Sequence, residues 1–334
     1  IVGDVVVDAS RFDSLGVHPT WEVGDLRWAY AAPATAFAID GGETAVTVEP
    51  GGLAGSPARV EALAPLGHIA IASDVVTDTA GARRVLRPPL APVRDTVRLH
   101  GAIPLDAPED TIRLAVSDPA ATAARALAAA LEARGVALGG RVRIVYDSVE
   151  AAALREGGHP VARWTSPPLS SIVAGLLQPS QNWIAEQLLW MLGAERGERG
   201  GWQSGLEAER AFLFDVVGID SAAVVLRDGS GLSAQNLLTP AALARLLTFA
   251  RARPWGEAFR AALARPGLEG STLEDRLAGY EARVFAKTGT ITNVNALAGY
   301  VIAEDGTELV FAVLTNATGR PASEARRAID RIVS

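Results

Sequence analysis

The chain has 334 residues, enough for two or three domains and a large core. Its net charge of -7 offers no electrostatic attraction to nucleic acid or an anionic membrane surface. The absence of cysteine excludes disulfides, thiol catalysis and Cys-based metal sites, and no run of about twenty apolar residues reads as a membrane span.

Ile1 to Asp8 reads as a strand that opens without a lead-in, so an upstream segment is expected to have been removed or left out. Residues 1 to about 115 read mainly as strands. Thr44–Val48, His68–Ala72 and Thr96–His100 are short β-branched runs, most of them closely flanked by Gly, Pro or Asp. Ser117-Asp118-Pro119 marks a helix start, with a cap and a proline in the first turn, and this helix runs to about Arg134 and stops near Gly135. A strand follows at Arg141–Tyr146, then a loop around Gly157-Gly158.

Beyond that loop the texture becomes helical, with helices expected over 168–178, 182–194, 203–217, 239–252, 255–264 and 272–278, and a strand at Ala222–Leu226. Three consecutive strands, Arg283–Ala286, Ala296–Ile302 and Leu309–Leu314, precede a closing helix at 321–332. A helical block with a terminal antiparallel sheet fits an α+β domain. No internal repeat is visible.

Of 31 basic side chains one is lysine, Lys287, in the run Val284-Phe285-Ala286-Lys287-Thr288-Gly289-Thr290 on the first of the late strands. A compact ammonium is the one basic function that Arg cannot replace. Lys287 would supply positive potential at a strand edge and the Thr288 hydroxyl would bind a carboxylate. Gly289 would let a peptide backbone approach without a Cβ in the way. The plain alternative is a surface lysine before a turn.

Upstream, Pro179-Ser180-Gln181-Asn182 joins two expected helices. Ser180 can cap the second helix, with Glu186 as favourable first-turn charge. It can also belong to a Ser-x-Asn pair in which a hydroxyl relays a proton and an amide holds a carbonyl. Asp228-Gly229-Ser230-Gly231-Leu232-Ser233 reads by default as a tight turn, being neither a nucleophile elbow nor a phosphate loop. Histidines 18, 68, 100 and 159 lack metal-ligand spacing and none accompanies a serine motif, so neither a metal, a cofactor nor a Ser-His-Asp triad is expected. Trp164, Trp183 and Trp190 read as core or interface anchors.

In combination, order and spacing these segments resemble the penicillin-binding-protein-4-type D-alanyl-D-alanine carboxypeptidases/endopeptidases, the low-molecular-mass class C penicillin-binding proteins. Gly3–Phe12, Tyr30–Ala36, Ser166–Ser170 through Asn182, Asp228–Ser233 and Lys287–Thr290 carry the likeness, nearly end to end. The resemblance implies the carboxy-terminal part of a β-lactamase/transpeptidase-like penicillin-binding domain over 156–334 and a mainly β accessory region, the inserted domains, over 1–155. It also implies cleavage of peptidoglycan stem peptides through an acyl-enzyme, β-lactams as ligands, and a periplasmic or otherwise extracytoplasmic location.

Carried onto this chain, Ser180 would relay the proton to the leaving amine and Asn182 would hold the acyl-side amide. Lys287 would keep the field positive, and Thr288 would take the terminal carboxylate. The Thr290 N–H would be one oxyanion donor. Gly289, Ser230 and Leu232 complete the substrate-binding set.

Two departures stand out. With one lysine, the chain contains no Ser-x-x-Lys, so the nucleophile is expected from an amino-terminal segment, itself a further partner. Ala234 stands where relatives commonly have Arg, which implies a weaker preference for a stem residue with a free carboxylate. A non-catalytic peptidoglycan- or β-lactam-binding homologue is the alternative reading. An esterase or β-lactamase on the same fold is a third, opposed by the large amino-terminal β region.

Overall fold

A computed structural model describes residues 3–63, 69–90, 96–197 and 199–334. Ile1, Val2 and His68, part of two expected strands, lie outside the described residues. The chain divides into two compact units, Ile1–Gly158 with Arg199–Gly201, and His159–Glu198 with Trp202–Ser334.

The first unit contains β1 (Val5–Asp8), β2 (Glu43–Glu49), β3 (Arg59–Ala62), β4 (Ala70–Asp78), β5 (Val85–Arg87), β6 (Thr96–Pro104), β7 (Asp110–Ala115), α1 (Pro119–Glu132), β8 (Val142–Val145) and α2 (Ser148–Arg155). Strands β3, β2 and β7 form an antiparallel sheet. In the neighbouring sheet β6 is central, parallel to β4 and antiparallel to β5. Alternation along β2 and β6 sends Val46, Val48, Val97 and Leu99 into one apolar cluster with Val75, Ile112 and Leu114. Helix α1 starts where Asp118 accepts the Ala121 N–H at 2.9 Å and Pro119 occupies the first turn. Helix α2 was not expected from the sequence; Asp147 caps it by accepting from Val149 and Glu150.

The second unit contains α3 (Leu169–Leu177), α4 (Asn182–Glu195), α5 (Trp202–Ala211), β9 (Val224–Val225), β10 (Leu237–Leu238), α6 (Pro240–Arg251), α7 (Gly256–Ala262), β11 (Val284–Ile291), β12 (Val294–Ile302), β13 (Glu308–Asn316) and α8 (Ala322–Val333). The antiparallel order β11-β12-β13 makes β11 an edge strand, with Lys287 opposite Ala298 and Thr290 opposite Asn295. Val284, Ala286 and Leu297 pack with Ile329 and Val333 of α8 on one face of this sheet. Phe285, Ala298 and Tyr300 pack with Leu247 and Leu263 on the other, where the Tyr300 hydroxyl donates to the Leu247 carbonyl at 2.8 Å.

The α+β class and the helical block with its terminal sheet are as expected. Three local expectations are corrected. Residues 272–278 form turns rather than a helix, with Leu277 at φ 55° and Gly279 at φ 89°. The expected strand at 222–226 is a 3-10 turn over Ser221–Ala223 followed by the two-residue β9. The helix expected over 203–217 leaves α geometry at Phe212–Val216, which form a π turn.

Candidate active site

Helix α3 ends where the Gln181 N–H wraps back to the Leu176 carbonyl at 2.9 Å. That closure places Ser180 at φ 62°, the left-handed position that helix ends usually give to glycine. A side chain held there costs roughly 1 kcal/mol or more, a strain that clusters at functional positions. Ser180 does not cap α4. Gln181 does, its side chain accepting the Trp183 N–H at 3.1 Å. Asn182 is the first residue of α4, two positions beyond Ser180.

The Ser180 hydroxyl is instead engaged by Lys287. The Lys287 Nζ lies 2.6 Å from Ser180 Oγ, across 107 residues of sequence, and donates to the Thr288 carbonyl at 2.7 Å. Burial pushes the ammonium down from 10.5 to about 8. A lysine poised there can exchange a proton with the hydroxyl beside it at neutral to mildly alkaline pH.

The Thr288 hydroxyl is hydrogen-bonded to the Thr272 hydroxyl at 2.8 Å, and the Thr272 N–H donates to the Gln178 carbonyl at 2.9 Å. Thr272 thus ties the end of α3 to strand β11. It was absent from the sequence-based set because its segment reads locally as a helix.

On the open edge of β11, the Ala286 N–H donates to the Ala264 carbonyl at 2.8 Å. Amides two residues apart in a strand point the same way, so those of Thr288 and Thr290 face this edge too. A Cβ at Gly289 would meet only the Ala296 Cβ, at an ordinary 3.4 Å, so internal packing alone does not demand glycine there. The exposed Gly289 and Thr290 leave the end of the edge open.

Asp228–Ser233 forms a loop closed by Asp228, whose carboxylate accepts from the amides of Gly231 at 2.9 Å and Ser233 at 2.7 Å and from Asn236 Nδ2 at 2.8 Å. Gly231 sits at φ 79°. Ser230 Oγ accepts the Leu232 N–H at 3.3 Å, and no hydrogen bond joins Ser230 or Leu232 to Ser180 or Lys287. The loop is fastened to α4 by Glu186. Glu186, read from the sequence as a favourable first-turn charge, is 1% exposed and accepts the Gly229 and Ser230 amides.

A curated D-alanyl-D-alanine carboxypeptidase from Actinomadura sp. (strain R39) is 34% identical over 335 residues, covering 96% of this chain and 60% of that protein. The chain therefore spans less than two thirds of that relative's length. The crystal structure of penicillin binding protein 4 (dacB) from Haemophilus influenzae matches 99% of this chain and 75% of that one, with a TM-score of 0.82 at 21% identity. A second structure of that protein, complexed with a novel β-lactam, matches with a TM-score of 0.73 at 20% identity. These two place the fold. The profile of the D-Ala-D-Ala carboxypeptidase 3 (S13) family runs across residues 1–334, and the chain belongs to that family.

Proposed function

We propose that this chain is the substrate-holding part of a serine-type D-alanyl-D-alanine carboxypeptidase/endopeptidase that acts on peptidoglycan stem peptides outside the cytoplasm and is acylated by β-lactams. The observation that carries the reading is the 2.6 Å contact between Lys287 Nζ and Ser180 Oγ, which joins two motifs far apart in sequence beside an open strand edge. Family membership, the carboxypeptidase name of the Actinomadura relative and the β-lactam complex of the Haemophilus protein support it.

In this reading the stem peptide lies along β11. Its terminal carboxylate meets the Lys287 charge and the Thr288 hydroxyl, and its carbonyl oxygen points to the Thr290 N–H. Asn182 holds the acyl-side amide, while Ser230 and Leu232 line the far wall. A serine attacks the carbonyl carbon and gives its proton to the lysine of its own Ser-x-x-Lys. Expulsion of the amine from the tetrahedral adduct leaves the acyl-enzyme, and the proton held by that lysine replaces the one Lys287 gives up. As the carbon–nitrogen bond breaks, Ser180 gives its proton to the departing amine and takes one from Lys287, whose depressed pKa makes this transfer cheap. Water then releases the acyl group.

The attacking serine belongs to a Ser-x-x-Lys segment that this chain does not contain. An uncovered apolar surface supports its docking on the second unit. Helix α3 has no fully buried residue, and Trp164, just before it, is 92% exposed. We assign residues 1–155 as the accessory part and 156–334 as the carboxy-terminal part of the transpeptidase-like domain.

Release of D-alanine from a stem pentapeptide by the full-length gene product tests the proposal. Turnover that is lost in Lys287→Ala supports it; the absence of turnover in the wild type contradicts it. A non-catalytic peptidoglycan- or β-lactam-binding protein is the second reading. That reading requires saturable β-lactam or peptide binding with no covalent adduct.

A further inference from the structure

Glu186 sits on α4 one turn beyond Asn182, with 1% of its surface exposed. Its Oε1 accepts the Ser230 amide at 2.7 Å and the Gly229 amide at 3.1 Å, and its Oε2 accepts Trp202 Nε1 at 2.8 Å. Gly229 lies within 3.2 Å of Oε2 as well. Each contact is an N–H donated to the carboxylate. No salt bridge to Arg or Lys is found for Glu186 among the described residues.

A charge buried without a countercharge is costly, and an apolar side chain would fill the same space without that cost. What the carboxylate supplies is acceptors for the main chain of the Asp228–Ser233 loop. Burial first, and then the nearby Asp228 charge, raise the pKa of Glu186, while the donors from Ser230, Trp202 and Gly229 pull it back.

An independent feature marks the same junction. A Cβ at Gly229 would lie 2.9 Å from both the Ala185 carbonyl oxygen and Leu189 Cβ, so the loop backbone rests directly on α4. Asp228 meanwhile closes the loop on itself through Gly231, Ser233 and Asn236. The loop is therefore a closed unit seated on α4, with Glu186 as its fastening.

We propose that Glu186 is a positioning residue of this active site: its carboxylate locks the Gly229–Ser230 turn onto α4, so that the Ser230–Leu232 wall stays in register with Ser180 and Asn182. The proposal rests on the catalytic reading above. It explains the spacing from Asn182 to Glu186, four residues and so one helical face, together with the Asp-Gly-Ser-Gly sequence of the loop.

The test compares rates of acylation by a fluorescent penicillin, with thermal stability, in the full-length gene product and three variants. Glu186→Gln replaces one acceptor oxygen by an amide that faces N–H donors, and acylation should slow by about tenfold or more. Gly229→Ala leaves the carboxylate and lifts the loop, and it should slow acylation likewise even if Glu186→Gln fails to fold. Trp202→Phe removes the third donor without touching the loop, and it should keep the wild-type rate within about twofold despite lost stability. Equal slowing in Trp202→Phe would reduce Glu186 to a structural role, and wild-type rates in Glu186→Gln and Gly229→Ala would overturn the proposal. A wild-type protein that takes no label would overturn the catalytic reading, and this inference with it.

Discussion

In the proposed mechanism Lys287 is charged when it holds a carboxylate and passes on a proton, and burial makes that charge easy to lose. With a folded pKa of about 8 against 10.5, the folded state binds fewer protons than the unfolded state between those values. Stability gains from this group as pH rises from 8 to 10.5, while carboxylate binding declines over the same range. Calorimetry with a peptide ending in D-Ala-D-Ala should show affinity falling about tenfold per pH unit above 8, and no such slope in Lys287→Ala. A constant affinity from pH 7 to 10 would refute the assigned charge. Glu209 runs the other way. Its Oε2 is buried without a hydrogen bond, and burial, opposed by Arg210 and reinforced by Glu186 and Asp228, pushes its pKa up to about 7. Its folded form binds protons more tightly, so it costs stability as pH rises from 4.5 to 7. Glu209→Gln should be neutral near pH 4 and stabilising at pH 8, by up to about 3 kcal/mol in denaturant unfolding. Ser180 and Lys287 were legible in the sequence because each belongs to a short motif and the lysine has no rival. Glu186 and Thr272 were not, because their meaning lies in partners 44 and 16 residues away.

Helix α8 shows what an element's pattern makes readable. Ala325, Ile329 and Val333 recur every four residues and all are buried, Ile329 at 1% exposure against the sheet that carries Lys287. Ile329→Ala should cost about 2–5 kcal/mol in denaturant unfolding; a loss below about 1 kcal/mol would mean that α8 does not close this core. The same periodicity misleads over 272–278. Leu273 and Leu277 are also four apart and buried in the same cluster, but the chain reaches them through turns. Positive φ at Leu277 and Gly279 is incompatible with a continuing helix, and nothing local in Leu273–Leu277 announces it. Helix α2 escaped for the opposite reason: eight residues behind an Asp cap are too short for a clear period. Strands β11 to β13 run longer than expected because their ends carry polar residues such as Lys287, Thr290 and Asn316, whose pairing is set by register rather than by hydrophobicity.

At the scale of the whole molecule, the change from β-branched runs to helical texture was visible in composition, and the chain divides near the same place, at Gly158. The roles proposed for the two units come only from the resemblance, since no charge pattern, metal spacing or repeat in the sequence distinguishes them. The chain spans 60% of the Actinomadura relative, and in the proposed mechanism the attacking serine is activated by a lysine other than Lys287. Ala234, where relatives commonly have Arg, predicts a weaker preference for stem peptides with a free side-chain carboxylate. Ala234→Arg should raise kcat/KM for the carboxylate-bearing peptide alone; an equal effect on both would remove that reading of the position. The central claim is that these residues hold the substrate while the nucleophile lies in a Ser-x-x-Lys segment beyond them. It is tested most directly by treating the full-length gene product with benzylpenicillin and mapping the adduct by peptide mass spectrometry. The account predicts one penicilloyl group, on a Ser-x-x-Lys serine outside residues 1–334; an adduct on Ser180, or no covalent adduct at all, would contradict it.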